Sequence, residues 1–169
     1  MKIEFKSLVE AHFPLMLKWL KTPHVKLKWD REISYTEDLV KEKYVSYVKG
    51  YKLENGEKKP ISAFIIYVDN NPIGYIQIYN AYDFIRNKPL IDLPESLAAI
   101  DFFIGDADYL GLGLGVEIIK NFDYQDYDNI LVDVSLDNLS AIKTYEKAGF
   151  KKIIEQRDNH QIWMLKENI

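Results

Sequence analysis

Three glycines in the segment Tyr109–Gly115 most constrain how this 169-residue chain can fold. The apolar segment Leu97–Ile104 precedes them and the helix-like run Val116–Phe122 follows, which predicts a strand, a glycine loop and a helix. Glycine permits positive φ angles and a close approach of backbone to ligand, so the loop N–H groups and the helix dipole could face a phosphate. The spacing fits neither GxGxxG nor GxxxxGK followed by Ser or Thr. By itself, the loop is equally compatible with a phosphate cradle and with a turn that binds nothing.

A second segment decides between these two interpretations. Residues Asn138–Phe150, NLSAIKTYEKAGF, resemble the signature of the GNAT acetyltransferases, in which an Asn opens a helix that ends in Tyr-Glu-Lys-x-Gly-Phe. The two segments also stand in the order and at the spacing of that superfamily. The resemblance implies acetyl-CoA as the acyl donor, with its pyrophosphate on the glycine loop and its pantetheine arm along the Asn138–Lys147 helix. The superfamily usually has Arg or Gln at Leu110 and often a basic residue at Leu112, so here the backbone N–H groups would hold most of the pyrophosphate.

Length and composition predict a single domain, residues 1–169, that buries a substantial core. No apolar run approaches the ~20 residues needed to cross a bilayer, and charges near the N-terminus stand where a signal peptide needs apolar residues. The absence of cysteine excludes disulfides, thiolate metal sites and a cysteine nucleophile. Three scattered histidines lack metal-ligand spacing, so we expect no metal. These features favour a cytoplasmic enzyme.

Charge is unevenly distributed along the chain. Residues 1–60 hold 13 of the 22 basic residues but only 9 of the 26 acidic ones, so the remainder is strongly acidic. This asymmetry argues against a nucleic-acid partner for the C-terminal part and suits a cationic substrate, although a solvated surface would give the same pattern. An acidic cleft rim would concentrate a polycation. Six acids precede the glycine loop: Asp83, Asp92, Glu95, Asp101, Asp106 and Asp108.

The order of predicted elements favours a mixed, mainly antiparallel α/β sheet with one parallel crossover at the glycine loop. Further strands are predicted at Ile3–Ser7, Ile61–Val68, Ile73–Tyr79, Ile130–Val134, and in a hairpin of Lys151–Gln156 and Gln161–Lys166 around Arg157–His160. Thr36 is expected to cap a helix that runs to about Val48, and Asp69–Pro72 to form a turn. Tyr51–Lys59 reads as a polar turn region and Ala81–Glu95 as an irregular loop.

The GNAT fold has this order of elements, with a sheet of about seven strands flanked by helices. In that fold two neighbouring parallel strands splay apart and acetyl-CoA enters the gap. The resemblance identifies these strands as Leu97–Ile104 and Ile130–Val134. Splaying leaves backbone groups unpaired, and the pantetheine amides would bond them.

Nearly the whole chain is similar to the aminoglycoside 6'-N-acetyltransferases, a group associated with antibiotic resistance. Residues Trp19–Val25 followed by Trp29 match a segment near the N-terminus, and Asn71–Gln77 match a central strand. Ile100 and Asp101 precede the CoA loop as they do in that family.

Two departures from this family put the exact substrate in question. Lys28 stands where the family often has the first of two tryptophans, and Asp133–Asn138 replaces an Asp-Pro-x-x-Ser-Asn segment. Asp133 nevertheless keeps the family's distance of twelve residues to Tyr145. The same branch includes acyltransferases that modify the side-chain amine of lysine-like siderophore precursors.

Acetylation of an amine requires a base, because a primary amine is mostly protonated at neutral pH. Asp101 lies where a strand runs into the CoA loop, so we expect it to act as base or to anchor the ammonium group. Tyr145 is the candidate acid for the departing thiolate, because a tyrosine hydroxyl with a pKa of ~10 is protonated. Asp133 could bind a second ammonium or simply face solvent.

The predicted site comprises a donor part and an acceptor part. Trp29 and Tyr82 could form an aromatic wall for a sugar ring, although core packing is the usual fate of a tryptophan. The predicted acetyl-CoA residues are Phe102, Phe103, Ile104, Leu110, Gly111, Leu112, Gly113, Leu114, Gly115, Asn138 and Tyr145. The predicted acceptor residues are Trp29, Tyr82, Asp83, Glu95, Asp101 and Asp133.

These residues predict direct acetyl transfer in a ternary complex to a small cationic amine, an aminoglycoside above all. Two alternatives stay open: an acyltransferase for a lysine-type siderophore precursor or a protein amine, and a non-catalytic acyl-CoA sensor. We expect a monomer or homodimer that binds neither nucleic acid nor membrane.

Overall fold

A computed structural model describes residues 1–156 and 159–169. In this part of the chain the strands are β1 (Ile3–Ser7), β2 (Tyr51–Glu54), β3 (Glu57–Val68), β4 (Asn71–Asn80), β5 (Leu97–Ile104), β6 (Asn129–Ser135), β7 (Lys151–Gln156) and β8 (Gln161–Glu167). The helices are α1 (Phe13–Lys21), α2 (Pro23–Lys26), α3 (Glu37–Val48), α4 (Leu114–Asn121) and α5 (Leu139–Lys147). Short 3-10 turns lie at Glu10–His12, Ala81–Asp83 and Ala107–Tyr109. Across the described residues, no helix combines the length and apolar character of a membrane span.

The strands form one mixed sheet, which confirms the predicted fold class. Their order is β1-β3-β4-β5-β6-β8-β7, with β2 paired to β3 beside this path. The pairs β1–β3, β6–β8 and β7–β8 are antiparallel. The β5–β6 pair is parallel, as predicted, and its ladder joins Leu97–Ala99 to Asn129–Leu131. This ladder ends there, although β5 continues to Ile104 and β6 to Ser135.

The chain divides into two compact units. Unit 1 comprises residues 1–77 and 102–112, and unit 2 comprises residues 78–101 and 113–169. Strands β4 and β5 therefore contribute residues to both units. The single domain expected from length stays a prediction.

The predicted polar turn at Tyr51–Lys59 is wrong. This segment forms strand β2 and the start of β3, which pair from Tyr51 with Pro60 to Glu54 with Glu57. Asn55 and Gly56 make the two-residue turn with φ angles of 51° and 80°. Two left-handed residues match the right-handed twist of a hairpin, and Asn-Gly is the strongest short sequence signal for it. The polar composition reflects strand residues that are mostly exposed or half-buried.

Other local predictions are confirmed. The Thr36 hydroxyl accepts the Leu39 N–H at 3.3 Å and begins α3, which ends at Val48. Asp69 and Asn70 have φ angles of 47° and 68°, which gives the tight turn between β3 and β4. The two strands of the last hairpin pair as expected, whereas Arg157 and Asp158 in its predicted turn lie outside the described residues.

The core of unit 1 depends on two close approaches that only glycine permits. A Cβ at Gly74 would lie 2.2 Å from the carbonyl oxygen of Phe103, and a Cβ at Gly105 would lie 2.2 Å from the ring of Trp19. The N–H of Gly105 donates to the Ile73 carbonyl at 2.7 Å. These contacts fix the end of β5 just before the glycine loop.

The core of unit 2 is an apolar cluster on one face of the sheet. Its members, here called the unit 2 cluster, are Ala81, Leu97, Ala99, Leu131 and Trp163. Leu90 and Leu93 from the irregular segment pack against it. The long loop between β4 and β5 is therefore attached to the sheet by its own apolar side chains.

The close approach at Gly74 gives a test of this packing. We expect Gly74→Ala to lower the free energy of unfolding by about 2 kcal/mol or more, because the new methyl group meets rigid backbone. Gly50→Ala is the matched control: Gly50 has a φ of 89°, but a Cβ added there would meet no atom within 4 Å, so only backbone strain of about 1 kcal/mol applies. Urea unfolding measures both. A Gly74→Ala variant as stable as wild type would contradict the packing.

Candidate active site

Four polar or aromatic side chains in unit 2 lie on adjacent strands of the sheet. Tyr79 is on β4, Asp101 on β5, Asp133 on β6 and Trp163 on β8. Because side chains two residues apart point to the same face, the first three share the face of the unit 2 cluster, to which Trp163 belongs. Asp133 and Trp163 are direct partners in the β6–β8 ladder. We call these four residues the polar strip.

Asp101 is held by Tyr79. The Tyr79 hydroxyl donates a hydrogen bond to Oδ2 of Asp101 at 2.9 Å. Burial, followed by the negative charge of Asp101, raises the pKa of Tyr79, so this hydroxyl stays protonated and continues to donate. One carboxylate oxygen is thus fixed in position. The sequence analysis missed Tyr79, because nothing near it in the chain distinguishes it from other strand tyrosines.

Tyr145 is buried on α5, with its ring edge against Phe150 at a centroid distance of 5.2 Å. Burial raises the pKa of Tyr145, and the charge of Asp101 raises it further. The hydroxyl is therefore protonated at neutral pH, as an acid requires. The effect of Asp101 means that the two predicted catalytic side chains lie within electrostatic reach of each other in unit 2.

Helix α5 is closed at both ends as the signature predicts. Oδ1 of Asn138 accepts the N–H of Ala141 at 3.2 Å, so Asn138 caps the first turn. Gly149 has a φ of 101°, and the Phe150 N–H returns to the Tyr145 carbonyl at 2.9 Å. The left-handed Gly149 is the usual end of a helix and explains the glycine of the motif.

Asp133 already faces a cation of the same unit. Its Oδ2 lies 3.9 Å from Nη1 of Arg86. Burial raises the pKa of Asp133, while Arg86 and the indole of Trp163 lower it. The predicted role of Asp133 in substrate binding stays a prediction, but Arg86 is a partner that the sequence analysis did not identify.

The glycine loop has the backbone that a phosphate site needs. Gly111 and Gly113 have φ angles of 73° and 75°, and a Cβ at either position would meet no atom within 4 Å. Gly113 begins α4 without a side-chain cap, so the N–H groups of the first turn have no such partner in the described structure. Leu110 and Leu112 are 43% and 65% exposed, whereas Leu114 is buried. A helix N-terminus without a side-chain cap can bind an anion, and the pyrophosphate site stays a prediction.

The end of β5 lies in unit 1 and is fixed by a histidine. Nε2 of His24 lies 2.9 Å from the carbonyl oxygen of Ile104, and because a carbonyl only accepts, the ring donates. Phe103 stacks on Tyr75 at a centroid distance of 5.7 Å. Pantetheine contacts are predicted at Phe102, Phe103 and Ile104. At Ile104, the hydrogen bond from His24 already occupies one lone pair of the carbonyl oxygen. His24 lies within a segment quoted for the resemblance, which is the signal that could have identified it.

The two aromatic residues of the predicted sugar wall belong to different units. In unit 1, Trp29 is half-buried, its N–H donates to the Tyr44 hydroxyl at 3.3 Å, and its ring packs edge-on against Phe103 at 5.0 Å. In unit 2, Tyr82 is exposed and its hydroxyl donates to the Pro94 carbonyl at 2.6 Å. Packing accounts for Trp29, and the aromatic wall stays a prediction.

The acids before the glycine loop serve varied local roles. Asp83 is half-buried and Glu95 is exposed. Oδ1 of Asp106 accepts the N–H of Asp108 at 3.0 Å and starts a 3-10 turn. Throughout the described ranges, no three His, Asp or Glu side chains are grouped so as to hold a metal ion.

Comparison with known proteins assigns the family. A family model described as an acetyltransferase (GNAT) domain matches residues 8–157. Aminoglycoside N(6')-acetyltransferases type 1 from Klebsiella pneumoniae and Serratia marcescens are each 26% identical over 156 residues, which cover 89% of this chain and 74% of theirs. The solved structure of AAC(6')-Ib with paromomycin and acetyl-CoA has a TM-score of 0.82 at 24% identity, covering 99% of this chain and 94% of that one.

The chain therefore belongs to the GNAT acetyltransferases. Membership confirms the predicted resemblance and the predicted enzyme class, an acyltransferase with acetyl-CoA as its acyl donor. Spermidine N-acetyltransferase from Vibrio cholerae, solved with CoA and spermine, shares the fold with a TM-score of 0.70 at 16% identity, covering 98% of this chain and 95% of that one.

The His24 contact predicts a specific effect on donor binding. His24→Ala removes the hydrogen bond that fixes the Ile104 carbonyl, a net loss of about 1 kcal/mol, so we expect the KM for acetyl-CoA to rise about fivefold. His24→Gln retains a donor that can reach the carbonyl and should recover much of the loss. Steady-state kinetics with saturating acceptor measures the effect. An unchanged acetyl-CoA KM in a folded His24→Ala variant would limit His24 to packing.

Proposed function

We propose that this enzyme acetylates a primary amine of a small cationic acceptor, with the 6'-amine of an aminoglycoside as the preferred substrate. The observation that carries the proposal is the arrangement in unit 2 of a carboxylate held by Tyr79 and a buried, protonated Tyr145 near it. Amine acetylation by direct transfer needs one proton acceptor and one proton donor, and this pair supplies both.

The acceptor reacts as its neutral amine, after its ammonium group has lost one proton to solvent. Asp101 receives the second proton, directly or through one water, as the nitrogen bonds to the acetyl carbonyl carbon. The bond between that carbon and sulfur breaks, and Tyr145 gives its proton to the thiolate. Tyr145 then regains a proton from solvent, and Asp101 releases one. Tyr79 contributes by holding Oδ2 of Asp101 in one orientation throughout.

The donor side of the proposal follows the GNAT resemblance. The backbone of Leu110–Gly115 would hold the pyrophosphate, and the backbone groups of Phe102–Ile104 would bind the pantetheine arm and thioester. Asn138, besides capping α5, would hydrogen-bond CoA. The proposal places the reaction in the cytoplasm, where acetyl-CoA is abundant.

Two features support an aminoglycoside as acceptor. The relatives from Klebsiella pneumoniae and Serratia marcescens carry this activity in their names, and the match covers 89% of the chain. The region before the glycine loop is acidic, and exposed acids such as Glu95 would attract a polycation. A panel of kanamycin, spermidine, N-hydroxylysine and a peptide with a free amino terminus, assayed by release of CoA thiol, tests this choice. Turnover of kanamycin alone, with the acetyl group on the 6'-nitrogen by NMR, supports it, and preference for another acceptor contradicts it.

Removal of the Asp101 charge tests the base. Asp101→Asn is nearly isosteric but accepts a proton poorly and has no net charge, so we expect kcat to fall by about 100-fold or more. Acetyl-CoA affinity by calorimetry should stay close to wild type. Retained turnover would exclude Asp101 from the chemical step.

Tyr145→Phe tests the acid. The ring remains and its packing against Phe150 is kept, but no proton can be donated, so kcat should fall by roughly ten- to a thousandfold. The acetyl-CoA KM should change little. Wild-type kcat in the folded variant would leave Tyr145 with a packing role.

A further inference from the structure

Two hydrogen-bond donors buried beside Asp133 have no partner among the described residues. Within the described residues, the Nε–H of Arg86 and the Nε1–H of Trp163 are inaccessible to solvent and make no hydrogen bond. The Trp163 side chain belongs to a residue that is only 1% exposed, and the Arg86 side chain is 12% exposed. Trp163 is the direct partner of Asp133 in the β6–β8 ladder, so the two side chains are neighbours on one face of the sheet, yet the indole does not reach hydrogen-bond geometry with that carboxylate.

Such donors require an explanation. Buried polar groups in proteins are nearly always hydrogen-bonded, because leaving one unsatisfied costs the free energy of its desolvation. Here two of them flank the same carboxylate, next to the proposed catalytic Asp101 on the polar strip. A ligand atom that accepts hydrogen bonds would satisfy both.

The charges indicate which kind of ligand atom fits. Arg86 compensates Asp133, so this pair presents donors without net negative charge and does not call for a second ammonium. A carboxylate would be repelled by Asp133. The oxygen of a neutral hydroxyl has two lone pairs, which can accept from Arg86 and from Trp163, and its proton can be donated to Asp133, so one hydroxyl can use all three groups.

The loop between β4 and β5 holds Arg86 in this place. The Phe84 ring packs edge-on against Tyr79 at a centroid distance of 5.0 Å. Leu90 and Leu93 bury against the unit 2 cluster. Nη1 of Arg86 lies 3.9 Å from Oδ2 of Asp133, and the positive charge of Arg86 lowers the pKa of Tyr79 on the same face. Arg86 is therefore part of the polar face rather than a solvated surface charge.

We propose that Arg86, Trp163 and Asp133 form a subsite that binds a hydroxyl group of the acceptor close to its reacting amine. The subsite rests on the proposed function, because Asp101 on the same strip receives the amine. It identifies the acceptor as an amino alcohol, such as an aminated sugar ring, and selects against simple polyamines.

Matched acceptors test the subsite. Kanamycin B, tobramycin and dibekacin share the 6'-amine, but tobramycin lacks the 3'-hydroxyl and dibekacin lacks both the 3'- and 4'-hydroxyls. We expect wild type to favour kanamycin B over dibekacin in kcat/KM by about tenfold, given a hydrogen bond to a charged donor. The kcat/KM for tobramycin then shows which hydroxyl matters. A value close to that of dibekacin assigns the preference to the 3'-hydroxyl, and a value close to that of kanamycin B assigns it to the 4'-hydroxyl.

Variants identify the residues responsible. Arg86→Lys keeps a positive charge near Asp133 but lacks the Nε–H, and Trp163→Phe keeps an aromatic ring without the N–H. In both, the preference for kanamycin B should shrink toward one while the acetyl-CoA KM stays unchanged. Lys88→Gln, in the same loop, is the control and should retain the full preference. A packing defect alone would lower all three rates equally, so an unchanged preference in both variants overturns the subsite.

Failure of the proposed function gives a different result. If wild type acetylates none of the three aminoglycosides, that acceptor class is wrong, and the subsite is then tested with 1,3-diamino-2-propanol against 1,3-diaminopropane. These diamines differ by one hydroxyl adjacent to the aminomethyl groups. A preference for the hydroxylated diamine that Arg86→Lys abolishes upholds the subsite, whereas equal turnover or no turnover of the pair overturns it.

Discussion

The short parallel ladder between β5 and β6 is the constraint on which the proposed site depends. The strands pair over only three residues each, from Leu97 and Asn129 to Ala99 and Leu131, and both continue beyond that point. Backbone groups past the end of a ladder need other partners. Past this end, the next side chains on the face of the unit 2 cluster are Asp101 and Asp133. On the same face, the unit 2 cluster is apolar except for the indole N–H of Trp163. The point where β5 and β6 stop pairing is thus also the point where the face changes from core residues to candidate catalytic and binding residues.

Burial and hydrogen bonding then assign distinct protonation states to neighbouring groups. Tyr145 is buried and Tyr79 is half-buried. Desolvation raises the pKa of both hydroxyls and Asp101 raises it further, so each remains a donor at neutral pH. Asp101 accepts from Tyr79, and Asp133 faces Arg86. Two carboxylates on adjacent strands therefore have different partners, which suits one for proton transfer and the other for recognition.

The sequence predicted those parts of the molecule that local signals encode. The start of α5 at Asn138, the end of that helix before Gly149, and the turn between β3 and β4 each depend on residues a few positions apart. Tyr79, Arg86 and His24 were missed as site residues because their partners are distant: Tyr79 is 22 positions from Asp101 and His24 is 80 positions from Ile104. A strand tyrosine or loop arginine carries no local mark of such a contact. The hairpin at Asn55 and Gly56 was missed for another reason, since polar composition was weighed above a clear turn signal.

The central claim is that the acetyl group passes to the amine beside Asp101, with Tyr145 at the sulfur. A crystal structure with a bisubstrate inhibitor, in which an acetyl bridge links the CoA sulfur to the 6'-nitrogen of kanamycin, measures this directly. The claim predicts that nitrogen within ~3 Å of the Asp101 carboxylate or one water away from it, and the sulfur within hydrogen-bond reach of the Tyr145 hydroxyl. A bridging nitrogen that lies away from Asp101, with another base beside it, would contradict the claim.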